Sequence, residues 1–201
     1  MHPAAAFRER NEAALRSLVA GRGFGLVLGA VDGRPVVAHA ALLLEERTLR
    51  FHLSRANALT PVLEAGGTAL VVVSGPDAYV SPDWYGLDDQ VPTWNYLSVE
   101  MEGPVAPLDD PAAAVLLDDL SAYFEARLAP KAPWAREKMT PGRFDALLQG
   151  IRAFKMRVER FEGTTKLSQN KPASAVEGVI EALEAAGSSE MARLMRLRLG
   201  A

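Results

Sequence analysis

Apolar residues recur along this chain with different periods, and each change of period marks a new element. Phe7, Leu15, Leu18 and Val19 fall on one helical stripe with charged residues opposite, which predicts a helix over 7–20 stopped by Gly21-Arg22-Gly23. From Phe24 to Ser54 the spacing shortens and predicts three strands, with a hairpin turn at Asp32-Gly33 and a second turn at Glu45-Glu46. A short helix is expected over 57–67, with Asn57 as its cap and Gly66 as its stop. Thr68 to Gly75 reads as a fourth strand whose unbroken Val/Leu run implies burial on both faces. The stretch 76–92 reads as a loop that carries Trp84 and two tyrosines.

A fifth strand runs over 93–108. Its alternation puts Trp94, Tyr96 and Ser98 on one face and Asn95, Leu97, Val99 and Met101 on the other. Asp109 and Asp110 before Pro111 open a helix, and "TPGRFDALLQG" gives a further short one. Over 151–163, Phe154, Met156 and Val158 alternate with Lys155, Arg157 and Glu159, which predicts a half-buried sixth strand. "GTTKLSQNK" then reads as a polar loop, and two amphipathic helices split at Gly187-Ser188-Ser189 close the chain. Six strands with a helix pair between the last two predict an α+β, mainly β fold: an antiparallel barrel with peripheral helices.

Composition narrows the class. The 201 residues suffice for a sizeable core, and no apolar run reaches the roughly 18 residues that cross a bilayer. Charges interrupt the N-terminal segment, so a secretory signal is not expected and a cytoplasmic location is. The absence of cysteine excludes disulfides, thiolate catalysis and Cys-based zinc sites, and His2, His39 and His52 lack metal-ligand spacing. A net charge of −3 argues against a basic nucleic-acid footprint.

Several clusters carry chemistry. "HLSRAN" gathers His52, Ser54, Arg55, Ala56 and Asn57 where a strand turns into a helix; free N–H groups, a hydroxyl and a guanidinium there suit a phosphate, the alternative being a capped helix beside a solvated arginine. His39 alternates with Val37 and Ala41, as a core or rim histidine also would. Ser81, Trp84, Trp94 and Asn95 lie within a short span; aromatic planes beside polar groups suit a flat heterocycle or a subunit interface. The C-terminal helices resemble a helix-turn-helix loosely: Arg193, Arg196 and Arg198 add charge, but Val179, Leu183, Met191, Leu194 and Met195 form packing stripes.

The ordered blocks "HPAAAF", "HLSRAN", "GPDAYVSPDWY", "VPTWNY", a following "EG" and "KLSQNK" resemble the signatures of PaiB-like FMN-binding negative transcriptional regulators. The resemblance implies a six-stranded split β-barrel of the FMN-binding, pyridoxamine-phosphate-oxidase-like type over 1–172. It implies a C-terminal helical hairpin over 173–201, packed on the barrel or on a dimer partner. It further implies a homodimer with FMN at the subunit interface. The flavin phosphate would be held by Ser54, Arg55, Ala56 and Asn57, with His39 and His52 on neighbouring strands. The strand from Trp94, with Ser81, Trp84 and Ser98, would wall the cofactor, and Lys166 and Gln169 would stand at the cleft mouth. The sequence departs from the pattern in three places: Ser54 precedes Arg55-Ala56-Asn57 where alanine is usual, Ala58 follows Asn57 where proline is usual, and His39 is followed by Ala40-Ala41 rather than Leu-Pro. Two functions remain open: a flavin-binding regulator, with direct DNA binding thinly supported, and an FMN-dependent oxidoreductase in which the cofactor carries the redox chemistry. No residue stands out as an obligate acid or base.

Overall fold

The computed structural model describes residues 3–200; His2 of the "HPAAAF" block lies outside the described residues. Strands β1 (Arg8–Glu9), β2 (Phe24–Val31), β3 (Arg34–Glu45), β4 (Thr48–Ser54), β5 (Thr68–Val80), β6 (Thr93–Pro107), β7 (Ile151–Arg157) and β8 (Arg160–Lys166) form an antiparallel sheet. Helices are α1 (Glu12–Arg22), α2 (Thr60–Glu64), α3 (Asp110–Glu125), α4 (Arg143–Leu148), α5 (Ala173–Ala185) and α6 (Ser189–Leu199). The strand order is β1-β8-β6-β5-β2-β3-β4-β7, and β6 also pairs with β7. The second pairing brings the order back on itself, so β2 to β7 make the six-stranded ring that the hydrophobic pattern predicts.

The chain divides into two compact units, one of residues 3–18, 74–99 and 162–200, the other of Val19–Val73 and Glu100–Phe161. The ring's side chains dominate the second unit. Asp32 and Gly33, both at positive φ, make the two-residue turn between β2 and β3. Alternation along each strand then sends Val27, Leu42, Leu49, Phe51, Leu53, Val71, Met101, Phe154 and Met156 into a buried core. Phe51 and Phe154 face each other across the β4–β7 pair with ring centroids 5.6 Å apart. The ring closes where β6 meets β7 at Val105↔Met156. Nearby, Gly103 lies so close to the Arg157 carbonyl that a Cβ would come within 1.8 Å of it.

The same unit carries α3 and α4 on the other face of its strands. Asp109 caps α3 by accepting a hydrogen bond from Ala112 N–H at 2.9 Å, with Pro111 in the first turn. Leu116, Leu120 and Leu148 pack with Leu43, Ile151 and Ala153 beneath them. Arg50 of β4 ties the layers by donating to Asp119 at 2.9 Å and to Glu45 at 2.8 Å.

In the first unit, β1 pairs with β8 (Arg8↔Thr164), and α5 and α6 bury Val176, Val179, Ile180, Leu183, Met191 and Met195 against Ala78, Val80, Tyr85 and Leu167. The small residue Gly178 permits this packing, since a Cβ there would lie 2.6 Å from the Trp84 carbonyl oxygen.

Four expectations are corrected. The first helix begins at Glu12, not Phe7, because the Glu9 carboxylate accepts from Arg10 and Asn11 N–H while Asn11 Oδ1 accepts from Ala14 N–H and caps the helix. The loop expected from Pro76 begins five residues later: β5 runs on to Val80, because Ala78 and Val80 keep the inward alternation. The sixth strand is two strands, β7 and β8, interrupted at Val158 and Glu159, whose N–H groups donate to Arg47 and Glu102 carbonyls. "GTTKLSQNK" is not a solvated loop: its first residues belong to β8, and Thr164, Leu167 and Ser168 are buried.

Candidate functional site

In the unit built on the ring, the end of β4 and the turn after it hold His52, Ser54, Arg55, Ala56 and Asn57. The turn is locked by its own side chains. Ser54 Oγ accepts from Ala56 N–H at 3.2 Å, Asn57 Oδ1 accepts from Leu59 N–H at 2.9 Å, and the Thr60 hydroxyl donates to the Ser54 carbonyl at 2.8 Å. Asn57 is therefore not the helix cap expected from sequence: α2 starts at Thr60, and Asn57 closes an Asx-type turn before it. Because α2 has only five residues and Ala56 and Leu59 N–H are already used, the anion-binding capacity here rests on side chains rather than on a helix end.

Arg55 is the side chain best placed for that task. Its backbone N–H donates to the Gly150 carbonyl at 3.0 Å and its Nε donates to the Gln149 carbonyl at 2.9 Å. The guanidinium is thus anchored at one edge, while its Nη2 stands 3.9 Å from Asp110 Oδ1. Anchoring Nε orders the fork before a ligand arrives, and the terminal N–H groups suit bidentate phosphate contact. Three positions before Arg55, on the same face of β4 as Ser54, lies His52. Its Nδ1 is buried with no hydrogen-bond partner among the described residues, and burial holds its pKa below the usual value. A buried neutral imidazole with one unmatched nitrogen is a group that a ligand or an ordered water would complete. The residues at the end of β4 therefore fit the phosphate end of a flavin mononucleotide. His39, on β3, is exposed and stacks on the Phe24 ring at 6.1 Å.

The first unit holds the remaining candidates. Ser81 caps the short 3-10 turn Pro82–Tyr85 by accepting from Asp83 N–H at 3.4 Å. Trp84 and Trp94 do meet, through a residue that the pattern did not single out. The Tyr79 ring lies edge-on to both, at 6.5 Å and 6.2 Å. Trp94 is 53% exposed and Tyr79 44%, so this is an apolar aromatic surface and not a core. Ser98 is half-buried on β6, on the Trp94 side of the alternation. Asn95 turns the other way and is completely buried. Its Nδ2 donates to Ser168 Oγ at 3.0 Å and to Met195 Sδ at 3.3 Å, and Tyr85 Oη joins Ser168 Oγ at 2.8 Å. The buried asparagine of "VPTWNY" thus pins "KLSQNK" in place.

Gln169 is likewise spent on the chain itself. Its Nε2 donates to the carbonyls of Ala6 (3.0 Å) and Thr165 (2.6 Å), and its Oε1 accepts from Leu167 N–H (2.7 Å). Lys166 donates to the Thr93 hydroxyl and lies 5.7 Å from the Phe7 ring centroid; burial lowers its pKa. It shares a cavity of about 240 Å³ with Tyr85, Gln90, Thr93, Ser168 and Lys171. These neighbours fall inside the quoted sequence blocks or just before them, and the signal that could have found them is the density of polar residues at buried strand ends. Among the described residues no group of His, Asp or Glu could hold a metal ion, and no helix is long and apolar enough to cross a membrane.

Comparison with known proteins places these features. The profile of the family described as "Putative FMN-binding domain" matches residues 1–160. The Bacillus subtilis "Protease synthase and sporulation protein PAI 2" is 30% identical over 200 residues, covering 96% of this chain and 95% of that protein. The flavocytochrome Anf3 from Azotobacter vinelandii shares the fold with a TM-score of 0.65 at 15% identity, over 83% of this chain and 72% of that one. An FAD and heme binding protein from Mycobacterium smegmatis does so with a TM-score of 0.58 at 19% identity, over 79% and 73%.

Proposed function

We propose that this chain, which belongs to the FMN-binding domain family, works as a flavin-binding homodimer that regulates transcription. FMN is its cofactor. When bound, FMN supplies a redox-active ring system; the chain supplies binding and orientation. The observation that carries the reading is Arg55, anchored at Nε by Gln149 and left with terminal N–H groups that make no hydrogen bond among the described residues. Arg55 takes the phosphate, Ser54 and Asn57 hold its turn rigid, and His52 offers the unmatched Nδ1.

The homodimer has support in exposed apolar surface on each unit. Phe24 (53%) and Val37 (49%) lie on adjacent strands beside His39, and Tyr79 and Trp94 lie on the other unit. Ser81, Trp84, Trp94 and Ser98 serve the seam where two subunits and the flavin ring meet in this reading. The regulatory role follows the PaiB resemblance. The hairpin of α5 and α6 buries its apolar stripes, and Arg196 is engaged by Glu184, so a DNA-reading face there is thin.

The cavity beside Lys166 and Lys171 favours a second reading, an FMN-dependent oxidoreductase acting on a small molecule. Light scattering is expected to give twice the chain mass. A mobility shift with DNA at low salt, without flavin reduction by a nicotinamide donor, supports the regulator. Turnover without a shift supports the oxidoreductase, and a monomer contradicts the interface cleft.

A further inference from the structure

The cavity in the first unit is built in a way that flavin binding at Arg55 does not explain. Its lining combines Phe7, Tyr85 and Val91 with the polar Gln90, Thr93, Ser168 and Asn170, and with both Lys166 and Lys171. Among the described residues each ammonium is paired only with neutral groups. Lys166 has the Thr93 hydroxyl and the Phe7 ring; Lys171 has the Gln90 amide oxygen and the Tyr85 ring at 5.3 Å. Neither forms an ion pair with a carboxylate among the described residues. Two cations gathered on one cavity without an anion are unfavourable to each other, and removing water from them adds to the cost. The walls are nonetheless rigid. Ser168 sits at a φ of 60°, held by Tyr85 and Asn95, so the loop that presents both lysines is fixed by buried hydrogen bonds.

We propose that this cavity is a binding site for a small organic carboxylate with an aromatic or branched body, the carboxylate lying on Lys166 and Lys171 and the body on Phe7, Tyr85 and Val91. The proposal rests on the cavity's own lining and not on the Arg55 assignment. Carboxylate rather than inorganic phosphate is favoured by the apolar wall, which a compact, fully hydrated anion would leave unused. The volume of about 240 Å³ matches an anion with a single ring or a short branched chain. The depressed Lys166 pKa agrees with a cation waiting for a counter-charge.

The test is a titration of the whole 201-residue chain, with and without FMN, using benzoate as probe and benzamide and inorganic phosphate as comparators. Amide chemical shifts of Thr93, Ser168 and Lys171 give the readout. Benzoate is expected to shift these amides saturably and to bind about tenfold more tightly than benzamide. Lys166→Gln and Lys171→Gln should each weaken benzoate about tenfold. Val91→Trp, at a residue 71% exposed and so safe for folding, should block binding by filling the cavity. Unchanged amides at millimolar benzoate, equal binding of benzamide, or a preference for phosphate overturns the proposal, as does benzoate affinity unaffected by Val91→Trp. Because flavin affinity is read in the same samples, loss of one property without the other separates this site from the Arg55 site.

Discussion

The two units solve opposite problems. The ring unit is held by apolar alternation: Phe51, Phe154, Leu49 and Met156 are buried at positions the period-2 pattern dictates. The other unit has a comparably apolar helical hairpin, but its most informative part is polar. Asn95, Ser168 and Tyr85 form a buried hydrogen-bonded set that fixes one loop in one shape. Apolar cores tolerate exchange of similar volumes, whereas a buried polar set tolerates only the partners that satisfy it. The barrel can therefore serve as scaffold, and the polar set can specify where "KLSQNK" lies.

The largest loss of stability should come from the ring. Phe154→Ala removes a completely buried ring from contact with Phe51, and a loss of about 3–5 kcal/mol is expected in denaturant unfolding. A loss below about 1 kcal/mol would show that the ring is not the scaffold. Next comes Asn95→Leu, which keeps volume but strips Ser168 of its amide partner. About 1–3 kcal/mol should be lost, with hydrogen exchange rising over 167–171 while β4 and β7 amides stay protected. Equal deprotection of both regions would merge the two units into one cooperative element.

The smallest effect is a pH dependence. His52 has its pKa lowered by burial, so the unfolded chain takes up a proton more readily than the folded one. Stability from this group is complete above the unfolded pKa, near 6.5, and is lost as pH falls through the lower folded value. His52→Gln should flatten that part of the profile of Tm against pH. If wild type and variant fall in parallel between neutral and mildly acidic pH, His52 is not the titrating group.

What the sequence made legible follows the same division. Ring strands β2, β3, β4, β6 and β7 announce themselves because one face of each is continuously apolar, and Asp32-Gly33 fixes the first register. β8 was hidden because its residues are polar, and only tertiary partners bury them; Thr164 lies opposite Arg8, far away in sequence. Asn57 misled for a related reason: an asparagine can close a turn or cap a helix, and the choice depends on where Thr60 finds its acceptor. Arg55 was legible as a candidate, but its orientation was not, since Gln149 and Gly150 come from a distant segment. Trp84 and Trp94 were readable as a pair, and the ring between them, Tyr79, was not, because the extension of β5 that presents it was read as loop.

In the proposed function, FMN is held by a phosphate grip centred on Arg55. Quenching of flavin fluorescence on titration of FMN with protein tests it most directly. Saturable quenching with micromolar or tighter affinity is expected. Arg55→Ala should weaken binding about ten- to hundredfold, through loss of charge-assisted hydrogen bonds, with only the small loss of stability due to the Gln149 hydrogen bond. Absence of quenching, or an Arg55→Ala variant that binds FMN as tightly as wild type, would contradict it.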